Sequence, residues 1–339
     1  MTSLEVALRG GSIAILLLFS VLCFRFRREF LPLRYAALYC LGSAAYTYSS
    51  ARPVPNRIAD LILSGLLCAV PAAFWLLMAS LFDDGFAPSL RKHAALAIMA
   101  AWGVPEELTH WRWVWLTDLY FAIALGFWVA GSIQAVLGFV DDLIQGRRQF
   151  RIAVLLLTPL HAFALIAVEL LSPGASLAET GRTINSWSIA IVSCLGAIFF
   201  LRPHPVMMAV KAGAAPTVTA RDQALLAKLD LIMTEERLYR DEGLTVASLA
   251  KRMEMGESRL RKLINTGLGH RNFSAFVNGY RLAEASAALA DPTQAEVPIL
   301  TIALDSGFGS IGPFNRAFKA NTGLTPREFR NLRLGADFG

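Results

Sequence analysis

The sequence predicts an all-α chain in two parts, a seven-helix transmembrane bundle followed by a soluble domain with two helix-turn-helix units joined by a long helix. The composition carries the first half of this prediction, because 55% of the 339 residues are hydrophobic and the charged residues are denser after Ala220, where 30 of the 58 lie in the last 119 residues. The second half rests on apolar residues at helical spacing, interrupted by two short corners, between residues 244 and 330. The expected domains are residues 1–210, a linker at 211–220, and residues 221–339 with a core at 244–330.

Seven apolar runs approach the length of about 20 residues that a bilayer span requires. They are residues 5–24, 35–50, 58–82, 88–104, 114–140, 151–172 and 184–201. The fourth run is the weakest, and if it only dips into the bilayer, the count becomes six and both chain ends fall on the same side. The first run ends in Arg25, Arg27 and Arg28 without a small-residue cleavage site, which predicts a retained span and not a secretory signal.

Basic residues predict the orientation of the bundle, because they are retained on the cytoplasmic side of short connections. With seven spans and the N-terminus outside, eleven Lys and Arg residues up to Lys211 fall on the inner side and five on the outer side. This bias predicts a multi-pass protein of the inner (cytoplasmic) membrane whose C-terminal domain lies in the cytoplasm.

Four ionisable residues within or at the ends of the apolar runs are candidates for sensing a signal. His161 and Glu169 lie in the sixth run, and Asp60 and Asp118 lie near the outer ends of the third and fifth. Ionisable groups in spans usually face the bundle interior and often mark a functional site. The alternative, that they form helix-packing hydrogen bonds or lie at the membrane interface, has at least equal weight.

The four cysteines, Cys23, Cys40, Cys68 and Cys194, all lie in apolar runs. Their spacing predicts neither a disulfide framework nor a zinc site. No metal, cofactor or catalytic pair is indicated, so we expect a protein that is not an enzyme.

The soluble part begins with a helix whose leucines around Leu225 to Met233 form an apolar stripe. This stripe packs either on its own domain or against a second subunit, and the sequence does not choose. Next, Thr245 is placed to cap a short helix, and Gly256 opens a second one, which is the helix-turn-helix arrangement. The predicted base-reading residues of this first unit are Ser258, Arg259, Arg261 and Asn265, and the predicted phosphate contacts are Lys262 and Arg271. The alternative is a charged helix face that is merely solvated.

A long helix then runs from the predicted cap Asn272 to Asp291-Pro292, and it can hold two recognition helices in successive major grooves, about 34 Å apart. In the second unit Gly307 lies at the corner and Pro313 in the first turn of the recognition helix. Its predicted base contacts are Ser310 and Asn315, and its predicted phosphate contacts are Arg316, Lys319 and Arg327. Because the tip is small or apolar, we expect this unit to grip phosphate and read shape, leaving most base discrimination to Arg259 and Arg261.

The pattern of the second corner resembles the C-terminal signature of the AraC/XylS family of bacterial transcription regulators. The matching residues are Ile302-Ala303, Gly307-Phe308, Ser310, Phe314, Arg316, Phe318-Lys319, Gly323, Thr325-Pro326 and Phe329-Arg330. The segments LTVASLAKRM and LRKLINTGLG are similar to the family's first helix-turn-helix. The resemblance covers about a quarter of the chain, Leu244 to Arg330, and departs from the family at Glu254, where glycine is common, and at Gly256, where Ser or Thr is usual.

The resemblance implies a domain that binds double-stranded DNA and activates or represses transcription, often as a homodimer on direct repeats, with RNA polymerase as a candidate partner. The membrane half lies outside the resemblance. The favoured interpretation is a membrane-embedded transcription regulator in which a small-molecule or membrane signal, sensed by the bundle, changes the grip on DNA. The alternatives are a transporter or membrane enzyme with a regulatory DNA-binding tail and, less favoured, a tail that has become a protein-interaction module.

Overall fold

The computed structural model describes residues 3–28, 30–50, 56–109, 114–157, 175–201 and 219–335. Within these ranges every regular element is a helix, and the β-type pairing is a single antiparallel bridge between Asp142 and Asn272. The all-α prediction is therefore confirmed for the described part. The chain forms two compact units, one comprising 1–139 and 146–208 and the other comprising 140–145 and 209–339.

Within its described residues, the first unit contains seven named helices and one further helical segment. They are α1 (Ser3–Arg25), α2 (Pro32–Ser49), α3 (Arg57–Cys68), α4 (Val70–Phe82), α5 (Leu90–Thr109), α6 (Val114–Val136) and α7 (Ala175–Leu201), and residues 145–157 are also helical. Helix α1 packs on α2 and α7, α4 packs on α2 and α6, and α3 packs on α5. Close packing of α4 and α6 uses Gly131, where an added Cβ would lie 2.6 Å from the Phe74 ring.

The prediction of seven spans is corrected by the structure. Among the described residues, two helices are long and apolar enough to cross a membrane, Ser3–Arg25 and Asp118–Val136, and α3 with α4 adds a third if that pair is one span bent by 40°. The break in the predicted third span falls at Pro71, at the start of α4, because proline cannot donate the next helical hydrogen bond. Charged residues at both ends shorten the apolar part of α5, and within the residues whose side chains the structure describes, the apolar part of α7 is Thr183–Ile198. Most of the predicted sixth span lies outside the described residues.

The end of α6 is held by a buried arginine. The Arg151 side chain is 1% exposed, and its Nη1 donates to the carbonyl oxygens of Gln134, Ala135 and Leu137 at 3.0, 3.1 and 2.6 Å. The last carbonyl groups of a helix have no partner within the helix, so a guanidinium there satisfies them and complements the helix dipole. The connection that follows α6 therefore leaves from a fixed point.

The described residues of the second unit form seven helices and two 3₁₀ turns. They are α8 (Ala220–Thr234), a 3₁₀ turn (Leu238–Arg240), α9 (Val246–Arg252), α10 (Glu257–Leu268), α11 (Phe273–Ala290), a second 3₁₀ turn (Pro292–Gln294), α12 (Ile299–Asp305), α13 (Ile311–Thr322) and α14 (Pro326–Leu334). The predicted caps are present, since the Thr245 side chain accepts from Ser248 N and the Asn272 side chain accepts from Ala275 N.

Helix α8 packs on its own domain. Leu229, Ile232 and Met233 are at most 3% exposed and lie in the same core as Leu249, Leu260 and Phe276. Leu231 is 56% exposed, so the apolar stripe is narrower than the sequence pattern indicated. The choice that the sequence left open, own domain or second subunit, is thus decided for the buried face of α8.

Helix α11 joins two separate cores. Its first half places Phe273, Phe276 and Val277 in the core of the first corner, and its second half places Leu282 and Leu289 in the core of the second. One continuous helix, α11, therefore contributes to the cores of both helix-turn-helix corners, and it fixes the spacing between them.

Candidate nucleic-acid interface

The turn between α9 and α10 is closed by two backbone hydrogen bonds. Met255 N donates to Ala250 O at 3.0 Å, and Glu254 N donates to Lys251 O at 3.1 Å. This is the pairing of a Schellman motif, which requires a left-handed residue just past the helix end. Glu254 occupies that position with φ 57°, a conformation that costs a residue with a Cβ about 1–2 kcal/mol.

The turn between α12 and α13 repeats the same geometry. Phe308 N donates to Ala303 O at 3.0 Å, and Gly307 N donates to Leu304 O at 2.9 Å. Gly307, with φ 91°, takes the left-handed position that Glu254 takes in the first corner. The two corners are therefore two copies of one backbone design, each with a 12-residue second helix, α10 and α13.

The equivalence pairs individual positions on the two recognition helices. Leu260 and Phe314, both 0% exposed, are the fourth residues of α10 and α13 and point into their cores. The fifth residues are Arg261 and Asn315, and the sixth are Lys262 and Arg316. Each helix thus buries one face and presents the other.

The exposed face of α10 carries three of the predicted contacts. Ser258, Arg259 and Lys262 are exposed, and Arg271 is exposed just after the helix. Asn265 is half-buried, and its Nδ2 donates to His270 O at 2.8 Å, so this amide supports the turn that ends the helix. The structure brings these predicted side chains onto one end of the first helix-turn-helix, while their contacts with DNA stay predictions.

Arg259 forms an ion pair with Asp222 of α8. Asp222 also accepts from the hydroxyl of its capping partner Thr219 at 2.7 Å, and this hydrogen bond, together with the guanidinium, holds the pKa of Asp222 below its usual range. The Arg259 side chain is still 42% exposed, and pairs this open to solvent contribute little to stability. The Arg259 guanidinium is therefore accessible to another anionic group.

Arg261 is buried, which the sequence pattern did not indicate. The residue is 6% exposed, and its Nη1 donates to the carbonyl oxygens of Val140 and Asp142 at 2.7 and 3.0 Å. The segment that covers it, residues 140–145, precedes α8, the first described helix of this unit, by more than seventy residues in the chain. Sequence reasoning missed this segment, because nothing in its composition marks it as part of the second unit.

In the second helix-turn-helix all the predicted DNA contacts are on the surface. The exposed residues are Ser310, Asn315, Arg316, Lys319 and Arg327. Beside them lies an open groove of about 720 Å³ between α12, α13 and the start of α14. Its lining includes Asn315, Thr325, Pro326 and Arg327.

Two of the four candidate signal residues lie in the described part of the chain. Asp60 is half-buried in the first turn of α3, and Asp118 is exposed on α6. The structure does not bring these two into one described site, and His161 and Glu169 lie outside the described residues. In the parts of the chain that the structure describes, no group of three His, Cys, Asp or Glu side chains is placed to hold a metal ion.

The structure instead reveals a buried polar network in the first unit around Glu5 and Arg9, which are 1% and 4% exposed. Arg9 Nε donates to Ser186 Oγ at 2.9 Å, and Arg9 Nη1 donates to Thr47 O at 3.0 Å. Thr183 Oγ1 donates to Glu5 Oε1 at 2.9 Å. The network joins α1, α2 and α7. Ionisable residues four apart within an apolar run were the sequence signal that could have identified it.

Comparisons with known proteins agree with the geometry of the corners. Residues 249–332 match the profile of a family described as a helix-turn-helix domain. The probable transcription factor PqrA of Proteus vulgaris is 31% identical over 96 residues, which are 28% of this chain and 75% of PqrA. No solved structure matches the chain significantly.

Longer relatives match over the same part. Uncharacterised helix-turn-helix-type transcriptional regulators of Staphylococcus aureus strains MSSA476 and N315 are 32% identical over 106 residues, which are 31% of this chain. The match spans only 14% of the length of these relatives. The fold and the matches define the class of the C-terminal domain, a helix-turn-helix domain of the kind found in transcription regulators. Through its C-terminal domain the chain belongs to the AraC-type helix-turn-helix family.

Proposed function

We propose that this chain is a membrane-embedded, sequence-specific transcription regulator without enzymatic activity, whose membrane domain senses a signal and whose C-terminal domain binds DNA from the cytoplasm. It acts as a homodimer on repeated half-sites and takes RNA polymerase as a partner. The observation that carries the DNA-binding part is the equivalence of the two corners on one rigid helix, each with an exposed basic side chain at the sixth position of its recognition helix, Lys262 and Arg316.

An exposed apolar stripe on α6 supports the membrane part of the proposal. Phe121, Leu125, Val129, Ile133 and Val136 recur at helical spacing and are 49–63% exposed. An apolar stripe of this length is costly in water and favourable against lipid. Helix α1 is the other long apolar span candidate, and its outward Leu18 and Val21 are 57% and 65% exposed.

The proposed sensing step acts on the helix packing of the first unit. The Glu5 and Arg9 network joins three helices through buried hydrogen bonds, so a ligand or a change in the lipid that favours one packing would shift it against another. Asp60, Asp118, His161 and Glu169 remain candidates for the signal contact.

Replacing Arg259 and Lys319 separates base reading from phosphate binding. We expect Arg259→Ala in the full chain to relax base preference at one position of each half-site, by about 1–3 kcal/mol, because a bidentate arginine contact discriminates between bases. We expect Lys319→Ala to weaken binding to all sequences and to reduce the salt slope by about 1, because a phosphate contact releases counterions whatever the sequence. Selection from random duplexes, followed by titration at several salt concentrations, measures both.

The matched control is Lys228→Ala, which removes an exposed lysine on α8, outside both corners. It should leave base preference unchanged and alter the salt slope less than Lys319→Ala does. If the wild type selected no sequence, or if all three variants behaved identically, the assigned roles would be wrong.

A reporter fused after Gly339 tests the membrane orientation. We expect green fluorescent protein fused there to fluoresce and alkaline phosphatase fused there to be inactive, because the first folds in the cytoplasm and the second requires export. The fusions should sediment with membranes. Active phosphatase in intact cells would place the second unit outside and exclude contact with the chromosome.

A further inference from the structure

Residues 140–145, here called the strap, lie in the notch between α10 and the start of α11. We propose that the strap is a built-in cover of the first recognition helix, α10, that withholds Arg261 from DNA. The first helix-turn-helix therefore reads bases fully only after the strap is released. This inference rests on the proposed function, because it assigns a mode of regulation to the same DNA-binding surface.

The strap is docked by backbone pairing as well as by side chains. Phe273 N donates to Asp141 O at 2.8 Å and Leu143 N donates to Arg271 O at 3.0 Å, on either side of the bridge between Asp142 and Asn272. These bonds form a short antiparallel ladder of the kind that an added peptide strand forms. The strap is therefore held in one register.

Two side chains of the strap complete the docking. Leu143 is 3% exposed and is part of the apolar core of the first corner. The Ser274 hydroxyl donates to Asp141 Oδ2 at 2.6 Å. A loop that only passed over the surface would not insert a leucine into the core, so this docking is specific.

The docked strap occupies Arg261 directly. The guanidinium donates to the carbonyl oxygens of Val140 and Asp142, and these acceptors take the donor atoms that would bind a guanine edge. This occupancy of Arg261 opposes base reading by the first helix-turn-helix.

The second helix-turn-helix has the same notch, and within the part of the chain that the structure describes no segment covers it. Asn315, the fifth residue of α13 and thus the equivalent of Arg261, is exposed. It lines the open groove together with Thr325, Pro326 and Arg327, which are the N-cap and the first two residues of α14. In the first helix-turn-helix the strap contacts the equivalent three positions of α11, which are the N-cap Asn272 and the next residues Phe273 and Ser274. The covered notch is therefore an addition to the repeated design and not a requirement of it.

The strap is also placed to report on the membrane half. It begins at Val140, shortly after α6 ends at Val136, and the end of α6 is held by Arg151. A rotation or shift of α6 in response to a signal would therefore pull on the strap through very few residues. Release requires no unfolding of the corners, because the equivalent notch of the second helix-turn-helix is folded although none of the described residues forms a strap in it.

The experiment uses the full chain in lipid nanodiscs, with duplexes selected from random 40-base-pair sequences by the wild type and, separately, by a Leu143→Asp variant. Leu143→Asp should eject the strap from the core, and Asp141→Ala with Ser274→Ala should loosen it without touching the core. The matched control is Gln145→Ala, at an exposed position of the same strap. Each background is also made with Arg261→Ala, and amide exchange at Phe273 reports strap docking independently of DNA.

We expect faster exchange at Phe273 and tighter binding in both strap variants, the gain with Leu143→Asp reaching about 5- to 150-fold, the range of one bidentate arginine contact. The gain should vanish with Arg261→Ala, and Gln145→Ala should match the wild type. Faster exchange without tighter binding, or a gain that survives Arg261→Ala, would overturn the inference while wild-type selection left the proposed function intact. Absence of any selected duplex, for the wild type and every variant, would overturn both.

Discussion

Phe314→Ala should abolish DNA binding by the second helix-turn-helix. Phe314 is 0% exposed, and its ring lies 5.1 Å from that of Phe308 and 5.4 Å from that of Phe318, so its loss leaves a cavity under the recognition helix α13. Truncation of a buried phenylalanine costs about 3–5 kcal/mol, a large share of the 5–15 kcal/mol that stabilises a typical domain. Amide exchange over α12 to α14 in the full chain measures the loss, and duplex binding measures its consequence.

The control for Phe314→Ala is Ile311→Ala, on the same helix but at the 36% exposed position. It removes apolar surface without opening a cavity, so exchange over α12 to α14 should change by less than about 1 kcal/mol. Equal exchange in the two variants would show that the aromatic cluster does not hold α13 in place.

Gly307→Ala should have the second largest effect. At φ 91° any Cβ is strained, and here it would also lie 2.6 Å from Arg240 Cα and 2.7 Å from Tyr239 O. The strain costs about 1–2 kcal/mol and the forced backbone shift about 1–3 kcal/mol, so we expect a loss of about 2–5 kcal/mol. Amide exchange over α12 and α13 measures this loss of stability, and the affinity for selected duplexes measures its consequence for DNA binding.

Gly323→Ala is the matched control for the close approach. Gly323 ends α13 with φ 78°, but an added Cβ would have no neighbour within 4 Å. This variant should show only the conformational cost of about 1–2 kcal/mol. If the two glycine variants lost the same stability, the contact between the second corner and the Tyr239 turn would not matter.

That contact also links the second corner to the long helix. Arg281 of α11 donates from Nε to Tyr239 O at 2.7 Å, and Glu284 of α11 pairs with Arg240. Arg240 also holds the pKa of Glu284 below its usual range, against the opposing effect of burial. A shift of the backbone at Gly307 would therefore disturb the 3₁₀ turn at Tyr239 and Arg240, which is bound to α11 by these side chains.

Sequence reasoning succeeded where the interaction is local. The caps Thr245 and Asn272, the corner glycine Gly307 and the inward Leu260 and Phe314 all follow from rules that act within one or two helical turns. It failed on the number of spans, because hydropathy alone does not register the break at Pro71 or the charged ends of α5.

Local sequence patterns were sufficient to predict the helices of the two corners, their caps and the basic character of their outward faces. The cover of Arg261 by Val140 and Asp142 and the buried network of Glu5 and Arg9 became known from the folded chain. Helical periodicity and capping depend on neighbours in the chain, whereas Arg261 and Asp142 are 119 residues apart. A pairing across that distance forms only when two folded surfaces fit each other, and neither segment alone encodes the fit.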